Sequence, residues 1–362
     1  MSFDAAELAL KTVCPANVFL YDDKEMPSTF VYIPKFRLCD VLSTADTTIH
    51  PAFRVNGVEI DGFYFGKFQT HHYNSRAYSL PGEDPSASAG LDTFVACNRA
   101  KGGHFHEITN AEWAAVALWC HKNGTEPKGN NNYGKDSTET LYRAIPTTKS
   151  SGQTNRVATG TGPVTWSHDG TLGGIWDMNG NVSEWCTGLR LVKGEVQVLV
   201  DNNAADPTAD LSATSAAWKA INAAATGWDD LYLTPDGTGT TSGSVKLDYV
   251  SSKWKWDTTI SSSSDSSRNC EFKDITASAN IGDTAKLLLM ALALLPDTSL
   301  TGTGIDANYG NDKFYANNAQ AERCLCRGGG WAYGADYGVF CANLSRDRSS
   351  VAANFGGRSA SY

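Results

Sequence analysis

Gly173-Gly174-Ile175-Trp176-Asp177-Met178-Asn179-Gly180-Asn181-Val182-Ser183-Glu184-Trp185 is the stretch whose reading decides the fold. Asn and Gly crowd its middle, and both tolerate left-handed backbone, so Asn179-Gly180-Asn181 reads as a tight turn. Glu184 and Trp185 then read as residues buried beneath that turn. Two further stretches complete the frame. Ile108-Thr109-Asn110-Ala111-Glu112-Trp113 carries a capping box, in which Thr109 and Glu112 satisfy each other's orphan amides and start a helix. That helix runs through Trp113, Ala117 and Cys120 and stops near Gly124. Arg327-Gly328-Gly329-Gly330-Trp331 opens a last stretch, 327–362, whose glycines and aromatics follow no period of 2 or 3.6 and predict short strands joined by exposed turns.

Outside these three stretches the patterning is mixed. A short helix is expected at Ala5–Thr12, an extended segment at Asn17–Tyr21, strands or hairpins at 29–34 and 57–69, and a helix from about Asp92 to Ala100. The runs 129–134 and 150–162 are Gly-rich and polar, and predict long loops. Residues 201–322 differ in texture: an Ala-rich helix is expected around Ser215–Ala225, a two-Trp strand at Lys253–Asp257, a low-complexity run at Ser261–Ser267 and a buried helix at Leu287–Leu295. Together these predict a large, mostly peripheral insertion.

Bulk properties exclude several classes. At 362 residues with 41 % hydrophobic content the chain can fill a sizeable core. Thirty Lys plus Arg against 39 Asp plus Glu give a net charge of −9 with no basic run, so no nucleic-acid partner is expected. The Leu287–Leu295 run is about half of a bilayer span and ends at Pro296, so no membrane insertion is expected. The N-terminus has no secretory-signal pattern. The nine cysteines are odd in number and scattered, which suits reduced thiols. Cys324 and Cys326 are too close for a zinc-ribbon pair.

The three framing stretches resemble, in order, the helix start, the G-(L/I)-x-D-M-x-G-N-V-x-E-W signature and the R-G-G-S-W strand of the formylglycine-generating enzyme superfamily, a branch of the C-type-lectin fold. The resemblance implies an α+β, C-type-lectin-like (formylglycine-generating enzyme-like) domain with long loops over 28–362. It would follow an N-terminal extension, 1–27, and carry the insertion, about 201–322. The enzymes of that superfamily hold copper on a cysteine pair just beyond the R-G-G-S-W strand, but Tyr333 and Gly338 stand there and Cys341 has no partner at that spacing. Iron-dependent relatives use H-x-x-x-H-x-E, which none of the seven histidines completes. No catalytic residue and no catalytic metal is therefore expected. His104-Phe105-His106 reads as surface histidines beside the helix cap, a two-imidazole metal pair being the alternative. Asn179 and Asn181 belong to a motif that holds structural calcium in some relatives, and a purely structural turn is the other reading.

The last stretch is similar to the variable repeat of diversity-generating retroelement variable proteins of the phage tropism-determinant type. In that family a reverse transcriptase randomises adenine-rich codons in the 3′ end of the gene while a framework holds the lectin face. First- and second-letter changes in AAY codons cannot yield Lys, Glu, Gln or Met. These four make up 37 of the 362 residues, yet none falls in 327–362, where uniform composition would place about four. The resemblance implies a scaffold of Trp185, Trp331, Phe340, Leu344 and Arg348, with Val339 also turned inward. The ligand-binding slots would be Gly330, Ala332, Tyr333, Asp336, Tyr337, Ala342, Asn343, Ser345, Arg346, Asp347, Ser350, Ala352, Ala353 and Asn354, with Val351 and Phe355 beside them. With Trp331, Val339, Phe340 and Leu344 turned inward, the interleaved slots Ala332, Tyr333, Asp336, Tyr337, Asn343, Ser345, Asp347 and Asn354 are expected to face outward. Tyr, Ser, Asn and Arg are residues that paratopes favour. The expected function is a receptor- or ligand-binding display protein whose partner is a host-surface protein or glycan, in a form compatible with an oligomer. It would sit in a virion (a phage tail) or the producing cell's cytoplasm, with the cell surface as a further site. A non-diversified phage structural or carbohydrate-binding module is the alternative, ahead of a formylglycine-generating oxidase.

Overall fold

A computed structural model describes residues 3–141, 143–300 and 308–362. Its helices of more than one turn are α1 (Phe3–Val13), α2 (Leu91–Arg99), α3 (Asn110–Asn123) and α4 (Asp283–Ala291). The capping box forms at the head of α3. The Glu112 amide donates to Thr109 Oγ1 and the Thr109 amide to Glu112 Oε2, each at 3.1 Å. Gly124 ends the helix in left-handed backbone, φ 69°. Every residue from Asn110 to Leu118 is buried, the mark of a helix enclosed on all sides. Its Trp113 ring lies 6.3 Å from that of Phe65, and its Nε1 donates to the Val339 carbonyl at 2.8 Å.

A five-stranded sheet is built from β1 (Asn17–Tyr21), β2 (Pro27–Pro34), β3 (Gly62–Gly66), β4 (His106–Glu107) and one strand from the far end of the chain. The main sheet contains β5 (Ser183–Val192), β6 (Glu195–Leu199), β7 (Trp218–Ile221), β8 (Lys246–Val250) and β9 (Lys253–Asp257). It continues with β10 (Arg268–Glu271), β11 (Lys313–Ala316), β12 (Arg323–Arg327), β13 (Ala342–Arg346) and β14 (Phe355–Gly356). Its path runs β10-β11-β13-β12-β5-β6-β8-β9, with β7 on β6 and β14 parallel to the start of β5. The last strand, β15 (Ser359–Ser361), crosses back to the smaller sheet and inserts between β3 and β4. Within 1–27, β1 pairs along its whole length with β2.

Two expectations for 201–322 are corrected. The segment is not peripheral: β8 and β9 extend the sheet past β6, and β10 and β11 form its other edge. Trp254 and Trp256 are fully buried on alternate positions of β9, in one core cluster with Trp113 and Leu288. The Ala-rich helix around Ser215–Ala225 is also absent. Trp218–Ile221 pairs instead as β7 with β6 on one side and Tyr232–Leu233 on the other. Ala's helix preference is worth less than one kcal/mol per residue, and two strand partners with a buried Trp218 outweigh it. The expected helix 287–295 regular part ends at Ala291, and Leu292–Leu295 follow it as buried turns. All nine cysteines are free thiols. Among the described residues no helix is long and apolar enough to cross a membrane.

Candidate functional site

Beneath the signature turn lies a buried polar frame. Asn181, at φ 63°, donates to Gln69 Oε1 and the Val157 carbonyl, and its Oδ1 accepts from Asn130 Nδ2 and the Val157 amide, at 2.9–3.1 Å. Asn179 donates to the Pro127 carbonyl at 3.0 Å and accepts from Asn131 Nδ2 at 3.3 Å. Asn181 Oδ1 thus has two protein donors, and both side chains brace the turn. Glu184 is the centre of the frame. It receives both prongs of Arg358 at 2.7 Å and Gln69 Nε2 at 2.9 Å, while Arg358 also donates to the Gly66 and Trp176 carbonyls at 2.9 Å. Both partners of the pair are at most 1 % exposed. Glu107 lies beside them and holds the Arg358 amide at 3.1 Å. Burial, and then the Glu184 charge, raise its pKa well above the usual carboxylate range.

Three arginines pin the 327–362 stretch to the rest of the chain, Arg358 to this frame and two others elsewhere. Arg327 is fully buried and donates to Asn110 Oδ1 and the Leu292 and Ala293 carbonyls, at 2.8–3.1 Å. Arg348 forks onto Glu322 at 2.8 and 3.0 Å and reaches Asp92 at 2.8 Å. Arg358 holds the end. Between them Gly328 and Gly329 take φ of 77° and 72°, and a Cβ on Gly329 would collide with the ring of Tyr337. Phe340 and Leu344 are buried, and Trp185 is fully buried against Phe355, 5.5 Å away at 72°.

Above the pins is a cleft of about 370 Å³ lined by Ser183, Tyr333, Tyr337, Asn343, Arg346, Ser350, Val351, Ala352, Asn354 and Phe355. All but Ser183 come from the C-terminal stretch. Tyr333 is 60 % exposed, and its ring is 5.1 Å from that of the half-buried Tyr337. Tyr337 also lines a second cavity of about 160 Å³, shared with Asn131, Asp136, Asn179 and Asp312. Arg346 enters the cleft through a bulge. Asn343 pairs with Cys326 and Arg346 with Cys324, so three steps along β13 match two along β12. The extra residue turns Arg346 to the same face as Asn343, with its guanidinium 5.5 Å from the Phe355 ring. Arg346 is among the expected slots but not in the set expected to face outward, and the bulge is the reason it belongs there.

Other positions sit elsewhere. Ala342 is fully buried, paired between Phe314 and Arg327 and facing the Leu344 side, so it is not a surface slot. Gly330 is buried under Asn354, whose Nδ2 would be 2.9 Å from an added Cβ. Phe355 is buried at the floor of the cleft. Ser345 and Asp347 are half-buried and act as turn braces: Ser345 donates to Asn343 Oδ1 and Asp347 Oδ1 accepts from Ser349 and Ser350. Ala332 and Asp336 are half-buried and Ala353 exposed, all outside the cleft lining. Trp331 is a further correction. It is half-buried and belongs to none of the buried clusters, because its backbone is drawn outward, the Trp331 carbonyl accepting from the Tyr133 amide at 2.8 Å.

The thiol chemistry is disfavoured by the same packing. Cys341 is buried, and burial pushes its thiol well above the usual range, the opposite of what a thiolate ligand needs. His106 is not on the surface: its Nε2 faces Glu112 at 2.9 Å and its Nδ1 the His104 carbonyl at 2.8 Å, in support of the α3 cap. Among the described residues no group of three or more His, Cys, Asp or Glu is placed to hold a metal ion.

No family model and no curated protein matches the sequence. Among solved structures the chain is similar to the Major Tropism Determinant U1 Variant, at 11 % identity over 92 % of this chain and 62 % of that one, with a TM-score of 0.31. It is likewise similar to the Major Tropism Determinant I1 Variant, at 10 % identity over 95 % and 71 %, TM-score 0.31. Treponema denticola variable protein 1 is similar at 11 % identity over 96 % of this chain and 99 % of that one, TM-score 0.30. The chain thus spans about three-fifths of the length of the U1 variant.

Proposed function

We propose that this chain is a ligand-binding display protein whose C-terminal cleft is the binding surface and is diversified by adenine-directed retroelement mutagenesis, and that it is not an enzyme. The observation that carries this reading is the make-up of the cleft: nine of its ten lining residues come from one stretch, 333–355, which is held from below by Arg327, Arg348 and Arg358. A surface that changes its residues needs a support that does not depend on them, and the pins supply one. The absence of Lys, Glu, Gln and Met from 327–362 and the likeness of that stretch to the variable repeat support the same reading. So do the paired tyrosines, which give broad contact at low entropic cost. On this reading the lectin-like domain covers 28–362, the ligand is a host-surface protein or glycan, and the setting is a phage tail.

The experiment is a library of the chain randomised at Tyr333, Asn343, Arg346, Ser350, Ala352 and Asn354, panned on lysozyme as an arbitrary folded probe. Most clones should melt near the parent temperature, and some should bind lysozyme. A library that mostly unfolds, or that yields no binder, overturns the reading.

A further inference from the structure

We infer that Tyr315, on β11 and outside the C-terminal stretch, is a fixed contact for the ligand, and that the partner is a folded protein broad enough to cover the cleft and the β10–β11 face beside it. The inference rests on the cleft being the binding surface. Register places the residue. In the parallel pairing of β11 with β13, Tyr315 is opposite Asn343, and in the antiparallel pairing with β10 it is opposite Asn269. Their neighbours Phe314, Ala316, Ala342 and Leu344 are fully buried. Side chains alternate along a strand, so Asn269, Tyr315 and Asn343 form one outward row across three strands. Asn343 is the point where that row enters the cleft.

Tyr315 also belongs electrostatically to the tyrosine pair. Its phenol is raised by burial first, then by Cys341, Asp336 and Tyr333, and Tyr315 in turn is among the neighbours that raise Tyr337. Its hydroxyl makes no hydrogen bond to the described residues, and the residue is half-buried, so part of it is exposed on the outward face. Three strands at about 4.8 Å spacing add roughly 10 Å of width to the cleft. That width exceeds one sugar ring and suits a protein loop that enters the cleft with its flank on the sheet. Stable protein interfaces bury on the order of 800 Å² per partner, which the cleft needs its surroundings to reach. A fixed aromatic at the edge gives each new cleft sequence a starting affinity that randomisation cannot erase.

The test uses clones of the library above that bind lysozyme, each then carrying Tyr315→Ala, Tyr315→Phe or Asn269→Arg. In most independent clones Tyr315→Ala should weaken binding about tenfold or more, Tyr315→Phe should retain most of it, and Asn269→Arg, on the exposed end of the row, should weaken it. Melting temperatures separate lost contact from lost fold, and Asn269→Arg remains readable if Tyr315→Ala unfolds. Unchanged affinity in Asn269→Arg and in folded Tyr315→Ala clones overturns the inference and leaves the cleft reading standing. Binders obtainable only on a branched oligosaccharide such as mannan, indifferent to Tyr315, overturn the protein partner. A library without any binder fails the cleft itself.

Discussion

Arg358 and Arg346 belong to the same C-terminal stretch and are used in opposite ways. Arg358 is fully buried, and its guanidinium meets Glu184 twice and two carbonyls besides. Arg346 is exposed, forms no ion pair with the described residues, and rests on the face of Phe355. The first is determined by its surroundings and tolerates no other side chain. The second has only the ring beneath it, so its identity is free to change. The difference teaches that rigidity and variability can alternate within one short stretch if the fixed residues reach down to the frame and the free ones do not.

The harshest way to test that division is at the pair itself. Arg358→Ala or Glu184→Ala leaves a buried charge unpaired and should cost about 3–5 kcal/mol, read as a fall in the denaturant midpoint. A loss under 1 kcal/mol would mean that the frame does not hold the stretch. Next comes Ala342, which sits among slots in sequence but in the core in space. Ala342→Tyr should cost about 1–3 kcal/mol by overpacking, whereas Ala353→Tyr, on the exposed side, should cost almost nothing. If both are tolerated alike, burial is not what separates the two sets.

The frame should also carry its own pH dependence. Lys101 is buried, with Nζ 3.1 Å from Ser28 Oγ and 3.9 Å from the Phe105 ring centroid, and burial pushes its amine down to about 7. Since an unfolded lysine titrates near 10.4, the unfolded chain binds more protons between the two values. Lys101 should then contribute a positive slope of stability with pH from about 7 to about 10, of up to about 1.4 kcal/mol per unit, against the opposite slope of the buried thiols whose pKa values are raised. Lys101→Met should remove that slope without affecting binding at the cleft. Equal slopes in parent and variant would exclude Lys101 as the cause. The smallest effect is expected at Tyr333, which is 60 % exposed. Tyr333→Ala should shift stability by no more than about 0.5 kcal/mol while weakening selected binders, and a shift above 2 kcal/mol would move Tyr333 into the frame.

Much of the frame was legible because its signals are local. Thr109 and Glu112 stand three residues apart and predict their own helix start, and the Lys253–Asp257 alternation predicts β9. The pins were legible only as arginines among glycines, because their partners lie far along the chain, Arg327 with Asn110 and Arg358 with Glu184. The bulge on β13 leaves no mark in sequence, so Arg346, although among the expected slots, was left out of the set expected to face outward. Ala342 and Gly330 look like neighbouring small residues of a loop, and what buries them is Phe314 and Asn354 respectively. For Trp331, size suggested core, while the Tyr133 contact draws its backbone outward. The helix expected at Ser215–Ala225 failed for the converse reason: a weak local preference met strand partners the sequence does not announce.

The placement of β15 has a further consequence. Residues 359–361 close the middle of the smaller sheet between β3 and β4, and Arg358 immediately before them completes the Glu184 pair. These contacts span nearly the whole chain and can form only after every position of the cleft has been translated. A shift of reading frame between residues 327 and 357 therefore removes both the arginine and the strand. Exchange of one exposed cleft residue for another leaves both in place.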